Sequence, residues 1–461
     1  MTPQQPLDVE PTSGLQFPLF KAVSKTTYGA GSLTAPFHRA APRRDQNLQT
    51  IRIALAGCGV VGGAFVRLLH DSGPAIASRF GVCFAVTRVL VRDTARNRNL
   101  PIDRQLFTDD LDSFLAHDAD VTIEAVGGDE PARTIAATAL ARGQKVISAN
   151  KELIATHGVA LSELALENET SLDFGASVGG SAPVIATLRD LVGASTPLSV
   201  RGILNGTSNY IISLIEDGAS LAASLRSARE LGLAEADPTR DLDGQDTAAK
   251  LAIMAWIAFG IRPSALGARR TSLLPGLEQL IRFATIAGGR VRFIGECTQL
   301  GDGGVTAAVE PVIVDATSAF GQTVREENRV AVDLGWTSLL SVSGPGAGGA
   351  PTAASLLGDL LRIDRAPNNR GAGVKQFISV PDSRDHQWLV IAKGHASALR
   401  SEAEKCGLRE ASHSSDGAYA SVITCPAPWG RVQRLIAELH RIKAHPCVAR
   451  YELSSQLEAR Q

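Results

Sequence analysis

Between Ala228 and Lys250 the chain reads ARELGLAEADPTRDLDGQDTAAK. The pattern predicts a helix that ends near Gly232, a carboxylate-rich loop, and a second helix with Asp246 and Lys250 four residues apart. That spacing puts a carboxylate and an ammonium on one helical face. On a solvated surface such a pair is worth only about a few tenths of a kcal/mol. Here the residues that follow, LAIMAWIAFG, are almost wholly apolar, so the helix is buried around the pair. A charged pair facing a protein interior marks a site.

Three other segments have residue types that can do chemistry. Gly57-Cys58-Gly59-Val60-Val61-Gly62 follows a predicted strand and opens a predicted helix. In that context Gly57 permits a tight turn, Gly59 lets the backbone approach a pyrophosphate and Gly62 allows close helix packing. The helix N-terminus offers its free N–H groups to phosphates. The next strand ends in Val91-Arg92-Asp93. Arg92 suits the 2′-phosphate of NADP, whereas an acidic residue such as Asp93 suits the ribose of NAD. The reading favours NADP(H) over NAD(H). Lys151, in Ser148-Ala149-Asn150-Lys151, stands at the carboxyl end of a further strand, the edge where open parallel sheets bind ligands. It could hold a carboxylate or relay a proton beside a nicotinamide. Leu204 to Tyr210 (LNGTSNY) is a strand end and polar turn. Its backbone N–H groups and the Thr207 hydroxyl suit an anionic or amino-acid ligand, while simple capping by Thr207 or Ser208 explains the same residues.

These residues need a scaffold of two or three domains, given a length of 461 residues. From residue 51 an apolar strand, the glycine turn and a helix are followed by strands at 84–91, 121–126 and 145–149 alternating with helices. This alternation predicts a parallel sheet with right-handed crossovers, a Rossmann-type α/β domain over 50–150. Residues 151–343 mix strands (171–174, 199–204) with longer helices (209–216, 221–231, 247–259), an α+β substrate and dimerisation domain. Residues 344–363 form a return segment with a Gly-rich start and a helix at 352–362. A polar linker, 364–373, precedes 374–461, whose βαββαβ order is the ferredoxin-like pattern. Residues 1–49 read as a flexible tail with a short docking segment at 15–22.

Composition narrows the class further. Lys+Arg (46) and Asp+Glu (47) cancel, which argues against a generally basic nucleic-acid binder. No apolar run reaches the length of a membrane span, and the start lacks the order of a secretory signal. The six cysteines show no C-x-x-C spacing, so neither a zinc site nor a dithiol pair is signalled. A cytoplasmic protein with reduced thiols is expected.

Taken together, these motifs closely resemble the homoserine dehydrogenase family. The segment 228–250 fits that family's signature at Asp237-Pro238, Asp241, Gly244, Asp246 and Lys250. Family-like too are Gly127-Gly128 with Glu130-Pro131, Ala149-Asn150-Lys151, Ser177-Val178-Gly179-Gly180, Asn205-Gly206-Thr207 and GPGAGGAPT from Gly344 to Thr352. The resemblance implies NAD(P)-dependent interconversion of L-aspartate-4-semialdehyde and L-homoserine, toward threonine, methionine and isoleucine. It makes Lys250 the general acid/base, Asp246 its orienting partner and Lys151 the second essential lysine. Glu235 would hold the substrate amino group, with Asp241, Gly206 and Thr207 also at the substrate. Cofactor contacts would come from Gly57, Cys58, Gly59, Val60, Val61, Gly62, Arg92 and Lys151, with the loop at Gly346 closing over the ring. A homodimer or homotetramer acting on a small molecule is implied.

Two departures stand out. Family members usually carry a Glu that helps ligate a monovalent cation (sodium or potassium) where this chain has Gly175. The remaining ligands would be the carbonyls of Val178, Gly180 and Ala182. The last domain has the order of an ACT regulatory domain but reads Ala392-Lys393-Gly394-His395-Ala396 where Asp-x-Pro-Gly-Val is usual, so threonine control does not carry over. No aspartate-kinase domain fits before residue 50, which makes a monofunctional enzyme the expectation. Two alternatives stay open on sequence alone: a repurposed paralogue that binds nucleotide for regulation, and a dehydrogenase of a related amino-acid aldehyde.

Overall fold

The computed structural model describes residues 48–192, 195–234, 237–301, 303–335, 339–362 and 377–453. The tail up to residue 47, the 15–22 segment, the linker 364–373 and Glu235 lie outside the described residues.

The first sheet is built from β1 (Gln49–Ala56), β2 (Val82–Leu90), β3 (Phe107–Thr108), β4 (Val121–Glu124), β5 (Lys145–Ser148) and β6 (Leu172–Asp173). Its order is β3-β2-β1-β4-β5-β6, and every pairing is parallel. The strands are apolar on both faces because helices cover both: α1 (Val60–Phe80), α2 (Leu111–Leu115), α3 (Ala132–Ala141) and α4 (Lys151–Glu167). The order reverses between β1 and β4, and ligands bind beyond the carboxyl ends of strands at such a point. Strand β6, read from sequence as part of the middle region, pairs with β5 and closes this sheet. The correction has a simple cause: α4 is the crossover helix of a further βαβ unit, so the sheet continues past residue 150.

The middle region contains α5 (Val184–Val192), β7 (Ser199–Ile203), α6 (Gly206–Glu216), α7 (Leu221–Glu230), α8 (Thr239–Leu242) and α9 (Gln245–Phe259). It continues with β8 (Arg269–Arg270), α10 (Leu277–Ile286), β9 (Gly289–Gln299), β10 (Gly304–Asp315), β11 (Glu327–Asp333), β12 (Leu340–Pro345) and α11 (Gly349–Arg362). The sequence reading lacked β9 to β12. Strand β10 is buried at all positions but its last, so it shows no period-two alternation, and Pro311 in its middle argues against a central strand. Helix α11 returns to the first sheet, where Ala353, Leu356 and Leu360 are fully buried with Phe65 and Val66 of α1.

The last region comprises β13 (Ile378–Ser379), β14 (Asp385–Lys393), α12 (Ala396–Lys405), β15 (Glu410–Asp416), β16 (Tyr419–Thr424), β17 (Ala427–Pro428), α13 (Trp429–Arg441) and β18 (Cys447–Tyr451). Its antiparallel order β18-β14-β16-β15 is the βαββαβ arrangement. Strand β18 also pairs in parallel with β10, so the sheet runs on without a break: β12-β11-β7-β9-β10-β18-β14-β16-β15. A balanced charge network spans that seam. Arg450 of β18 reaches Glu296 of β9 at 2.6 Å and Glu310 of β10 at 3.3 Å, and Arg269 meets Glu310 at 2.5 Å. Arg201 meets Glu452 at 2.9 Å. Burial alone would raise the Glu296 carboxyl, but Arg450 and Arg201 outweigh it and hold it at about 2.

Candidate active site

Helix α9 is apolar almost all round, with Leu251, Ile253, Met254 and Phe259 at 0% exposure. Burying each side chain of this size contributes about 1.5–3 kcal/mol, which anchors the polar first turn. Gly244 starts the helix in the left-handed region, at φ 82°. A Cβ there would lie 2.8 Å from Val309 and 3.0 Å from Phe293, so another residue would lift the helix off β9 and β10.

The first turns of α9 and α4 meet at one carboxylate. Lys250 donates from Nζ to Asp246 Oδ2 at 2.8 Å and to the Leu204 carbonyl at 2.8 Å. Lys151 Nζ lies 3.0 Å from the other oxygen, Oδ1. Asn205 Nδ2 donates to Asp246 Oδ2 at 2.8 Å and to Asp241 Oδ1 at 2.7 Å. Burial pushes the Asp246 carboxyl upward, but the Lys250 and Lys151 ammoniums, with the Lys250 and Asn205 hydrogen bonds, hold it well below the usual carboxylate range. Burial likewise works against a charged Lys151, and Asp246 more than compensates, so its pKa is raised. Asp241 is shifted the other way: burial, reinforced by the Asp246 charge and moderated by the Asn205 hydrogen bond, raises it.

Lys151 reaches this point because the edge of the first sheet is braced. Asn150 caps α4 by accepting from the N–H groups of Glu152 and Leu153, and donates to the Gly128 carbonyl at 2.6 Å. Ser148 Oγ accepts from the Asn150 N–H and donates to Glu124 at 2.5 Å. The fully buried Glu124 accepts in turn from the Val126 and Gly127 N–H groups. Glu124 and Asn205 were absent from the candidate residues. Their signals were polar residues at strand ends, in TIEAVGG and ILNGTSN.

Gly206 and Thr207 open α6 beside this cluster. The cap of α6 is Asn205, whose Oδ1 accepts from Ser208 N–H at 2.7 Å, which corrects the expectation of capping by Thr207 or Ser208. Thr207 instead donates to the Leu233 carbonyl at 2.6 Å, tying α6 to the turn that leads toward residue 235.

The glycine turn fits a dinucleotide. Gly57 has φ 90°, and a Cβ there would lie 2.4 Å from the Ala125 carbonyl oxygen. A Cβ on Gly62 would lie 2.0 Å from the Gly57 carbonyl oxygen, whereas one on Gly59 meets nothing within 4 Å. Helix α1 begins at Val60 without a side-chain cap, which leaves its first N–H groups for an anion. Val60 is exposed, and Val61 packs on the core. Cys58 is buried, and burial raises its thiol pKa. Arg92 is exposed after β2, while Asp93 Oδ1 accepts from the N–H groups of Ala95 and Arg96 and so shapes its own loop. Gly346 lies in the loop before α11, and a Cβ on Gly349 would lie 2.8 Å from the Val60 carbonyl oxygen. The loop is thus held against the glycine turn.

The side-chain ligand that the resemblance implies for a monovalent cation is absent, since position 175 is a glycine. At Gly175 a Cβ would lie 2.6 Å from Asp359 Oδ1, so the Asp359 side chain fills that space from α11. The Gly180 carbonyl accepts from Ser355 Oγ at 2.5 Å, and the Ala182 carbonyl from Val184 N–H at 2.8 Å; Val178 is fully buried. Among the described residues no group of three or more His, Cys, Asp and Glu is placed to hold a metal. Nor is any helix among them long and apolar enough to cross a membrane.

Sequence profiles of known families match two stretches: "Homoserine dehydrogenase, NAD binding domain" over residues 57–174 and "Homoserine dehydrogenase" over 183–361. A homoserine dehydrogenase of Mycobacterium tuberculosis is 35% identical over 339 residues, 72% of this chain and 76% of that protein. One of Bacillus subtilis is 30% identical over 318 residues, 68% and 73% of the two chains. A crystal structure of a homoserine dehydrogenase from Thiobacillus denitrificans superposes with a TM-score of 0.78 at 26% identity, covering 88% of this chain and 98% of that one.

Proposed function

The chain belongs to the homoserine dehydrogenase family of NAD(P)-dependent oxidoreductases, and we propose that Lys250, Asp246 and Lys151 carry that chemistry here. The observation behind this assignment is the pair of ammoniums on opposite oxygens of one buried carboxylate, beyond the carboxyl edge of the nucleotide sheet. The relatives do not favour the repurposed-paralogue reading.

A bound reduced nicotinamide would supply the hydride that converts L-aspartate-4-semialdehyde to L-homoserine. Gly57, Gly59 and Gly62, with the N–H groups opening α1, would hold its pyrophosphate. The chain's own work is on the proton. As the aldehyde oxygen gains charge, the Lys250 ammonium stabilises and protonates it. Asp246 aims Lys250 and holds Lys151 charged beside it. Lys151 closes the space between nucleotide and substrate. Asp241, Gly206, Thr207 and Glu235 bind the amino-acid end, Glu235 through the amino group. Arg92 favours NADP(H), because it is exposed and makes no hydrogen bond or ion pair among the described residues, while Asp93 is spent on its loop. No step depends on a cation. We also infer a cytoplasmic homodimer or homotetramer, with domains at 50–150, 151–343 and 374–461 apart from the added strand β6, the last of them ACT-like.

The test is absorbance decay of NADPH or NADH with the semialdehyde, repeated with aldehydes lacking the amino or carboxyl group. Fast turnover that prefers NADPH and requires the amino group supports the reading. Equal rates without the amino group would remove Glu235 from its role, and no turnover with either cofactor would remove the assignment of the lysines.

A further inference from the structure

Asn328 of β11 is fully buried, opposite Gly344 of β12. Its Nδ2 donates at 3.3 Å to the Leu204 carbonyl, the same oxygen that accepts Lys250 Nζ at 2.8 Å. Its Oδ1 has no hydrogen-bond partner. Gly346 presses against the amide: a Cβ there would lie 2.2 Å from both Cγ and Oδ1 of Asn328 and 2.5 Å from Nδ2. Gly346 N–H donates to the Glu326 carbonyl at 3.0 Å, and that oxygen would lie 2.8 Å from a Cβ on Gly206. The strand end at 204–206, the start of β11 and the glycine loop therefore converge on one planar side chain.

A residue that only filled this space would serve better as an apolar side chain, which leaves no buried acceptor unpaired. The amide does something an apolar residue cannot. A carbonyl has two lone pairs, and at Leu204 one takes the ammonium while the other takes the amide.

We propose that Asn328 is a positioning residue for the proton-donating lysine: its amide fixes the Leu204 carbonyl on which the Lys250 ammonium rests, and registers that oxygen against the glycine loop at Gly346. The proposal rests on the role of Lys250 given above. Movement of the loop on binding nucleotide would then be felt at the lysine through one shared oxygen. Misplacement of a reacting group by about 1 Å costs on the order of a hundredfold in rate, so losing this donor is read in kcat.

The experiment compares Asn328→Asp, which keeps the shape but loses the donor when ionised, with Asn328→Leu, which keeps the volume and loses both polar atoms. Each full-length variant is assayed for kcat, both KM values, Tm and the solvent isotope effect on kcat at neutral pH, with Lys250→Met as a control. Both Asn328 variants are expected to lose kcat by roughly ten- to a hundredfold. The KM for NADPH stays within about twofold and the isotope effect rises, because transfer from a misplaced lysine becomes slower. If one variant does not fold, the other reads the same quantity. Wild-type kcat in a folded variant, or a fall in kcat and Tm together with an unchanged isotope effect, would overturn the proposal. Full activity in Lys250→Met would overturn both this inference and the role of Lys250, whereas an inactive Lys250→Met beside active Asn328 variants would overturn this inference alone.

Discussion

Two charge clusters in this molecule differ in the kind of cation they use and in access. At the seam between β10 and β18, Arg450, Arg269 and Arg201 are matched by Glu296, Glu310 and Glu452, and the arginine guanidinium of Arg450 is 3% exposed. In the site, the nearly buried Asp246 faces two ammoniums, Asp241 is joined to it through Asn205, and Lys151 is 35% exposed. The seam uses arginines, whose planar forks can satisfy several carboxylates and whose charge is permanent. The site uses lysines, which can give up a proton. A closed network holds strands in register; an open one can take a charged substrate. Burial of charge is therefore no guide to function until the kind of cation and its access are compared.

The widest separation between the two clusters should come from single replacements. Asp246→Asn removes the charge that aims both lysines, and kcat should fall about 10²–10⁴-fold, the range for a positioned acid/base group, in steady-state assays. The fold should survive, as seen by circular dichroism. Arg450→Ala should do the reverse, because it takes the nearest partner from Glu296 and leaves Glu310 with Arg269 alone. Breaking a buried pair in this way costs about 3–5 kcal/mol, measured by urea unfolding, while KM values at low temperature stay unchanged.

A finer contrast lies in acid. The folded-state carboxyl of Glu296 is at about 2, below its ordinary 4.5. Its contribution to stability is complete above pH 4.5 and is lost as pH falls toward 2, because the unfolded chain takes up the proton first. Glu296→Gln should lower stability at neutral pH and flatten this acid limb in a pH series of denaturation curves. An equally steep limb in the variant would assign it to other carboxylates. The smallest effect belongs to the nucleotide turn: Arg92→Ala should raise the KM for NADPH about tenfold, as expected for one charge-assisted contact, and leave the KM for NADH unchanged.

Much of this was legible in the sequence where local pattern and chemistry coincide. The glycine turn, Lys151 at a strand end and the Asp246–Lys250 face each declare themselves within a few residues. The meeting of Lys151 with Asp246 is not written locally, since it joins two helices almost a hundred positions apart. Asn205 was read only as part of its motif, without a role, and Asn328 was missed, for the same reason. An asparagine at a strand end reads as a turn former, and one inside a buried strand carries no periodic signal. Strands β9 and β10 went unread because burial on both faces erases the alternation that marks a strand, whereas β12 is an exposed edge strand with no apolar face to show. Asp359 filling the place of a side chain at Gly175 is likewise a tertiary fact: the glycine is visible in sequence, the carboxylate that replaces it is not.

The central claim is that Lys250 handles the proton while the fold and nucleotide site stand apart from it. It is tested most directly by assaying Lys250→Ala with NADPH and L-aspartate-4-semialdehyde beside the wild type, with NADPH affinity measured by fluorescence titration on the same preparations. The expected result is fast turnover in the wild type, loss of about 10²–10⁴-fold in the variant, and equal NADPH affinity in both. Turnover by the variant at the wild-type rate would contradict the claim.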